Sequence, residues 1–143
     1  LFGAVQPPQQ PAAALRRQQA QALAAFVQQI FACEPEANVL LLGSLEAAPG
    51  AAALDPLTAA GLRNLYDLLP ADERYSRVRE GNSLAFDHIY AGGSLVAAAP
   101  LLDVVHINAE WSEPVSDRDG LLARFTLPAA PSGANLFLPL VQR

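Results

Sequence analysis

The chain has 143 residues, one domain's worth, and its 52% hydrophobic and 16% charged residues supply a buried core rather than a disordered polymer. Fourteen acidic residues against nine basic ones give a net charge of −5, which argues against a general binder of nucleic acid or of anionic membranes, since either needs a basic face. All nine basic residues are arginine, the single Cys33 excludes an internal disulfide and a cysteine zinc cluster, and no apolar run approaches the roughly 20 residues that span a bilayer.

Residues 1–11, with Pro7, Pro8 and Pro11 among glutamines, read as an extended lead-in. Leu1-Phe2-Gly3 shows neither an initiator Met nor a charged-then-apolar leader, and methionine is absent throughout, so the chain reads as a piece of a longer one. Leu15, Ala22, Leu23, Phe26, Val27 and Ile30 recur at helical spacing, with Arg16, Arg17, Gln18, Gln21 and Gln28 between them. This predicts an amphipathic helix over residues 12–32, ended by Glu34-Pro35, with Cys33 at the core or its rim. The unbroken apolar run from Val39 to Leu42, bounded by Gly43, predicts a strand buried on both faces. Asp55-Pro56 offers an N-cap and a first-turn proline for a second helix, carried by Leu57, Gly61, Leu65, Leu68 and Leu69 and stopped by Pro70. Residues 74–78, 84–90, 103–107 and 121–127 then read as strands, separated by turns at Glu80-Gly81-Asn82, Gly92-Gly93-Ser94 and 116–120. The tail 128–143 reads as an added edge strand or a linker. This order predicts an α+β fold with a mostly antiparallel sheet and two flanking helices.

Three stretches carry a resemblance. The first is Asn38-Val39-Leu40-Leu41-Leu42-Gly43-Ser44-Leu45-Glu46. The second is Tyr75-Ser76 followed by Glu80-Gly81-Asn82-Ser83-Leu84-Ala85-Phe86-Asp87-His88-Ile89-Tyr90. The third is Val104-Val105-His106-Ile107-Asn108-Ala109-Glu110, then Val115-Ser116-Asp117-Arg118-Asp119-Gly120 ahead of Leu121. In order and spacing they resemble the C-terminal half of the endonuclease/exonuclease/phosphatase superfamily, the DNase-I-like metal-dependent phosphodiesterases, nearest to its secreted bacterial nucleases. The resemblance covers residues 12–127. It implies half of a four-layer α/β sandwich, and extracellular localisation.

In that family a divalent metal neutralises the scissile phosphate and a His–Asp pair activates water. The family's Gly-Asp-Phe-Asn strand falls on Gly43-Ser44-Leu45-Glu46, its strand aspartate on Asp87, and its Ser-Asp-His turn on Ser116-Asp117-Arg118. Aspartate is therefore replaced by Ser44, asparagine by Glu46 and histidine by Arg118, while Asp87 and Asp117 survive. A serine carries no charge for a metal, and an arginine never gives up its proton to act as a base. The family's remaining ligands belong to an N-terminal half that this chain lacks.

The resemblance thus implies a catalytically degenerate domain acting as a structural or binding module, with no cofactor expected. The alternative is part of a divalent-metal phosphodiesterase or nuclease, using Mg²⁺ or Ca²⁺, completed by the missing N-terminal half. Asp117 is a possible metal remnant, but two carboxylates without further anionic ligands hold Mg²⁺ or Ca²⁺ poorly. An Asp87–Arg118 ion pair is the natural replacement for an Asp–His hydrogen bond. Arg118 could instead bind a phosphate, against an acidic background of Glu110, Glu113, Asp117 and Asp119. Glu46 reads as a solvated loop residue, His88 and His106 as structural histidines, and Trp111 as a cap over the core. A lone half-sandwich exposes an apolar sheet face, so the expected partner is the N-terminal half of the same domain or a second copy, with no membrane and, for this chain alone, no nucleic acid.

Overall fold

The structure, a computed structural model, describes residues 13–98 and 100–127; the lead-in and the tail, with the expectations placed on them, lie outside the described residues. Helix α1 runs Ala13–Cys33, close to the span the periodicity predicts, but it buries Ala20, Ala24 and Val27, whereas Leu15, Leu23 and Phe26 of the predicted apolar face are exposed. The buried positions fall at i, i+4 and i+7, one narrow stripe of small side chains that lets the helix lie close to the layer beneath. Cys33 is exposed at its end.

Strand β1, Val39–Ser44, lies antiparallel to β5, Asp87–Gly92, in a register that pairs Val39 with Gly92 and Ser44 with Asp87. The two-residue strand β2, Arg63–Asn64, lies on the other side of β5, so the sheet order is β1-β5-β2. β5 is buried almost throughout, as a central strand should be. β1 is not, which corrects the expectation of burial on both faces. Val39 and Leu41 pack towards α1, whereas Leu40 is 43% exposed and Leu42 66% exposed. β1 has a neighbouring strand on one side only and a helix layer on one face only; among the described residues nothing covers the Leu40/Leu42 face.

The second helix is also shorter than its pattern. Helix α2 spans Asp55–Ala59, with Pro56 in its first turn, and Asp55 lies inside the helix rather than capping it. Gly61, at φ +88°, takes the chain out of helical geometry into β2. A 3₁₀ turn at Leu65–Leu68 follows, capped by the Asn64 side chain, which accepts a hydrogen bond from Tyr66 N at 3.1 Å. Leu57 and Leu65 are both fully buried, but in different clusters, so their spacing mimics one helix without forming it.

The first cluster joins α1, α2, Val39, Leu62 and Tyr90. The second joins Leu65, Tyr66, Ile89, Ala91, Leu102 and Val104. β5 separates them, sending Tyr90 to one and Ile89 and Ala91 to the other by strand alternation. The second cluster is closed by the antiparallel pair β6, Leu101–Val105, and β7, Gly120–Arg124, joined through the 106–119 loop. Strands β3, Arg77–Arg79, and β4, Asn82–Leu84, form a separate hairpin. Its turn residues Glu80 and Gly81 both have positive φ, 52° and 77°, the combination that matches the right-handed twist of a two-residue hairpin. Among the described residues the fold is α+β, with two helices and antiparallel strands throughout, divided into one three-stranded and two two-stranded sheets. Among the described residues no helix is long and apolar enough to cross a membrane.

Candidate functional site

Ser44 ends β1 and Asp87 begins β5, and the register sets them opposite each other. The Ser44 hydroxyl donates to Asp87 Oδ1. Glu46, just beyond β1, takes a left-handed backbone conformation at φ 50°. Arg118 reaches them from the far end of the 106–119 loop. Its Nη1 donates to Asp87 Oδ1 at 2.7 Å and to Ser44 Oγ at 2.9 Å, and its Nη2 donates to Glu46 Oε1 at 2.6 Å. The Arg118 backbone is fixed as well: Asn108 Nδ2 donates to its carbonyl at 2.8 Å and its amide donates to Ser116 Oγ at 3.2 Å.

Of the positions singled out in the sequence, Ser44, Glu46, Asp87 and Arg118 therefore meet at one point, and the Asp87–Arg118 ion pair is present. Asp117 does not join them. It pairs with Arg77 Nη2 at 2.7 Å on the β3 hairpin, with most of its side chain exposed. Glu46 is not the solvated loop residue expected, because Arg118 holds it. Trp111 is 70% exposed and caps nothing, another correction: the loop that carries it bulges away from the core.

The electrostatics fix the charge states. Burial alone would push the Asp87 carboxyl up, but hydrogen bonds from Ser44, Ser76 and Arg118, with the guanidinium charge behind them, outweigh it and hold the group below the ordinary carboxylate range. Arg118 is held still more firmly protonated, first by its hydrogen bond to Glu46 and then by Asp87, against a partial desolvation. Both terminal guanidinium nitrogens are thus spent on carboxylates. That arrangement leaves a phosphate to compete with Asp87 and Glu46 for Arg118.

A divalent metal fits these residues poorly. The one position where Ser44, Glu46 and Asp87 converge holds a guanidinium, which already neutralises the carboxylate oxygens a cation would need. Among the described residues no three His, Cys, Asp or Glu side chains form a group suited to a metal ion. Beside the cluster, α1, the 45–54 loop and α2 line an open groove of about 690 Å³, whose lining includes Leu15, Leu23, Leu45 and Leu57 together with Ser44 and Glu46.

His88 points to the face opposite Asp87 and is structural in its bonding. Its Nε2 hydrogen-bonds the Ala47 carbonyl at 2.7 Å and its Nδ1 meets Asn64 Nδ2 at 3.0 Å, so Nε2 donates and Nδ1 accepts, the neutral tautomer. Burial pushes its pKa down, only partly countered by the Ala47 bond and the Asp87 charge.

Sequence reading missed two contributors. Ser76, fully buried, donates to Asp87 Oδ2 at 2.9 Å and so satisfies the carboxylate oxygen that Arg118 does not reach. Asp119, counted only as acidic background, is buried and accepts from the Asn108 and Ala109 amides at 2.8 and 3.0 Å. Its signal was its place directly ahead of an apolar strand, where an acid either turns the chain or is buried by it. No protein-family model matches the chain, and no curated protein or solved structure matches it either.

Proposed function

We propose that the chain is a catalytically inert module related to the C-terminal half of endonuclease/exonuclease/phosphatase domains, acting by binding or as a structural part. The observation that carries this reading is the clamp of Arg118 between Asp87 and Glu46, with Ser44 at its third side. At these positions the resemblance expects a histidine, two aspartates' worth of metal and water chemistry, and an amide. An ion pair stands there instead, and a permanently protonated guanidinium cannot take a proton from water. The enzyme alternative requires Asp87 and Glu46 to release Arg118 and bind a metal with a serine in place of a carboxylate; nothing in the geometry favours that.

The partner belongs to the same proposal. Leu40 and Leu42 stand uncovered on an edge strand, and an apolar groove opens beside Ser44 and Glu46. Such surfaces suit a covering segment, either an N-terminal half of the same domain or a second copy of this chain. The reading is tested by following hydrolysis of bis(4-nitrophenyl) phosphate in Mg²⁺, Ca²⁺ and Mn²⁺. The expected result is no release above buffer. Metal-dependent release that disappears in Asp87→Ala overturns it.

A further inference from the structure

A second polar cluster surrounds His106, outside the Arg118 network. Its Nδ1 lies 2.9 Å from Asp119 Oδ2, on a carboxylate whose side chain is fully buried. Its Nε2 is also shielded from solvent, makes no hydrogen bond, and sits 3.4 Å from Glu73 Oε2. The ring stacks on Tyr75 with centroids 4.2 Å apart, and the Tyr75 hydroxyl donates to Glu110 Oε1. The groups facing the imidazole are therefore Asp119 from the end of the 106–119 loop, Glu73 from the 3₁₀ turn Ala71–Glu73, and Tyr75 with Glu110 behind it. The neighbouring Arg74 donates its Nε to the Leu69 carbonyl at 2.8 Å.

Asp119 is a firm anion. Burial would raise its carboxyl, but the His106 bond and the Ala109 and Asn108 amides outweigh burial and hold it below the ordinary range. A neutral ring that donates Nδ1–H to Asp119 must aim the Nε2 lone pair at a Glu73 carboxylate oxygen, two acceptors facing each other in a covered space. A proton on Nε2 turns that conflict into a donor between two anions. The same cover argues against a catalytic base, since no substrate proton reaches Nε2.

From this geometry we infer that His106 is a proton-operated clasp. The imidazolium bridges Asp119 and Glu73 and ties the 106–119 loop to the Ala71–Glu73 turn. The neutral ring keeps Asp119 and lets the half-exposed Glu73 turn out to solvent. The loop so tied presents Trp111 and ends at Arg118, so proton uptake orders the surface next to the candidate site. The inference does not depend on whether the module is inert.

Peptide-resolved hydrogen exchange, corrected for its intrinsic pH dependence, tests it over residues 70–76 and 106–111 at about pH 5.5 and about pH 8. The variants are Glu73→Gln, which keeps the shape and removes the charge, and His106→Asn, which keeps a donor towards Asp119 and cannot take a proton. The expected result is several-fold slower exchange on the acid side in the wild type and none of that difference in either variant. No acid-side slowing in the wild type overturns the clasp, and so does slowing that survives in Glu73→Gln or in His106→Asn.

Discussion

Removing the Arg118 guanidinium leaves Asp87 and Glu46 facing each other without a counter-charge, and Asp87 is mostly buried. Breaking a buried pair outright costs several kcal/mol, whereas exposed pairs contribute little. With Glu46 substantially exposed, Arg118→Ala is expected to cost about 1–2 kcal/mol in urea unfolding. Arg118→Lys recovers only part, since one ammonium cannot span both carboxylates as the fork does. A pH dependence follows with a definite sign. Asp87 is held below its ordinary value of 3.8, so its contribution to stability is present above that value and is lost as the pH falls below it. Arg118→Ala therefore shrinks the acid-side loss seen below about pH 3.8; an acid limb identical to the wild type contradicts the assignment. The Asp87–Arg118 pair was legible from the order of the resembling stretches, which put an arginine where that family has a histidine beside the strand aspartate. What Glu46 and Asp117 do was not, because it depends on how far a loop carries Arg118 and on where Arg77 lies, and sequence spacing says neither.

Among the elements, the span of α1 was legible from its helical spacing but its buried face was not, since the small Ala20 and Ala24 pack inward while Leu15 and Phe26 stay exposed; the β3–β4 turn was legible because Glu80-Gly81-Asn82 has the right chemistry. α2 and β1 were misread for opposite reasons. The leucines after Pro56 keep a helical spacing through Gly61, whose φ of +88° breaks the helix, and tertiary burial then divides them between two cores. β1 has the apolar run of a central strand but sits at an edge, where only what covers it decides exposure. Gly93 tests the local account. It opens a 3₁₀ turn at φ +61°, and a Cβ there would lie 1.9 Å from the Ala37 carbonyl oxygen, so backbone must shift. Gly93→Ala is expected to cost at least about 2 kcal/mol, combining left-handed strain with the clash. A melting temperature within error of the wild type counts against the close packing of this turn on the 36–37 segment.

At the scale of the whole molecule, the two clusters stand on either side of β5, and no described residue covers the remaining face of β1. That the fold would be α+β with antiparallel strands was readable from the change of period after Pro70. Its division into three sheets was not, since pairing across the 106–119 loop is a long-range event. Leu42 gives a prediction at this scale. Because it is 66% exposed, Leu42→Glu should change the stability of the isolated chain by no more than about 0.5 kcal/mol. If the face is an interface, the same change weakens self-association in sedimentation equilibrium, or binding of an added N-terminal half. Loss of folding in Leu42→Glu would mean that this face is already covered in solution within one chain.

The Arg118 guanidinium occupies the point where Ser44, Glu46 and Asp87 converge, and the proposed inertness rests on its staying there in the presence of divalent metal. Calorimetric titration of Mg²⁺, Ca²⁺ and Mn²⁺ into the intact chain tests it most directly, with Asp87→Ala as the control. The account predicts no saturable heat from any of the three ions. Saturable heat that vanishes in Asp87→Ala would show that the carboxylates release Arg118 to a cation, and would contradict it.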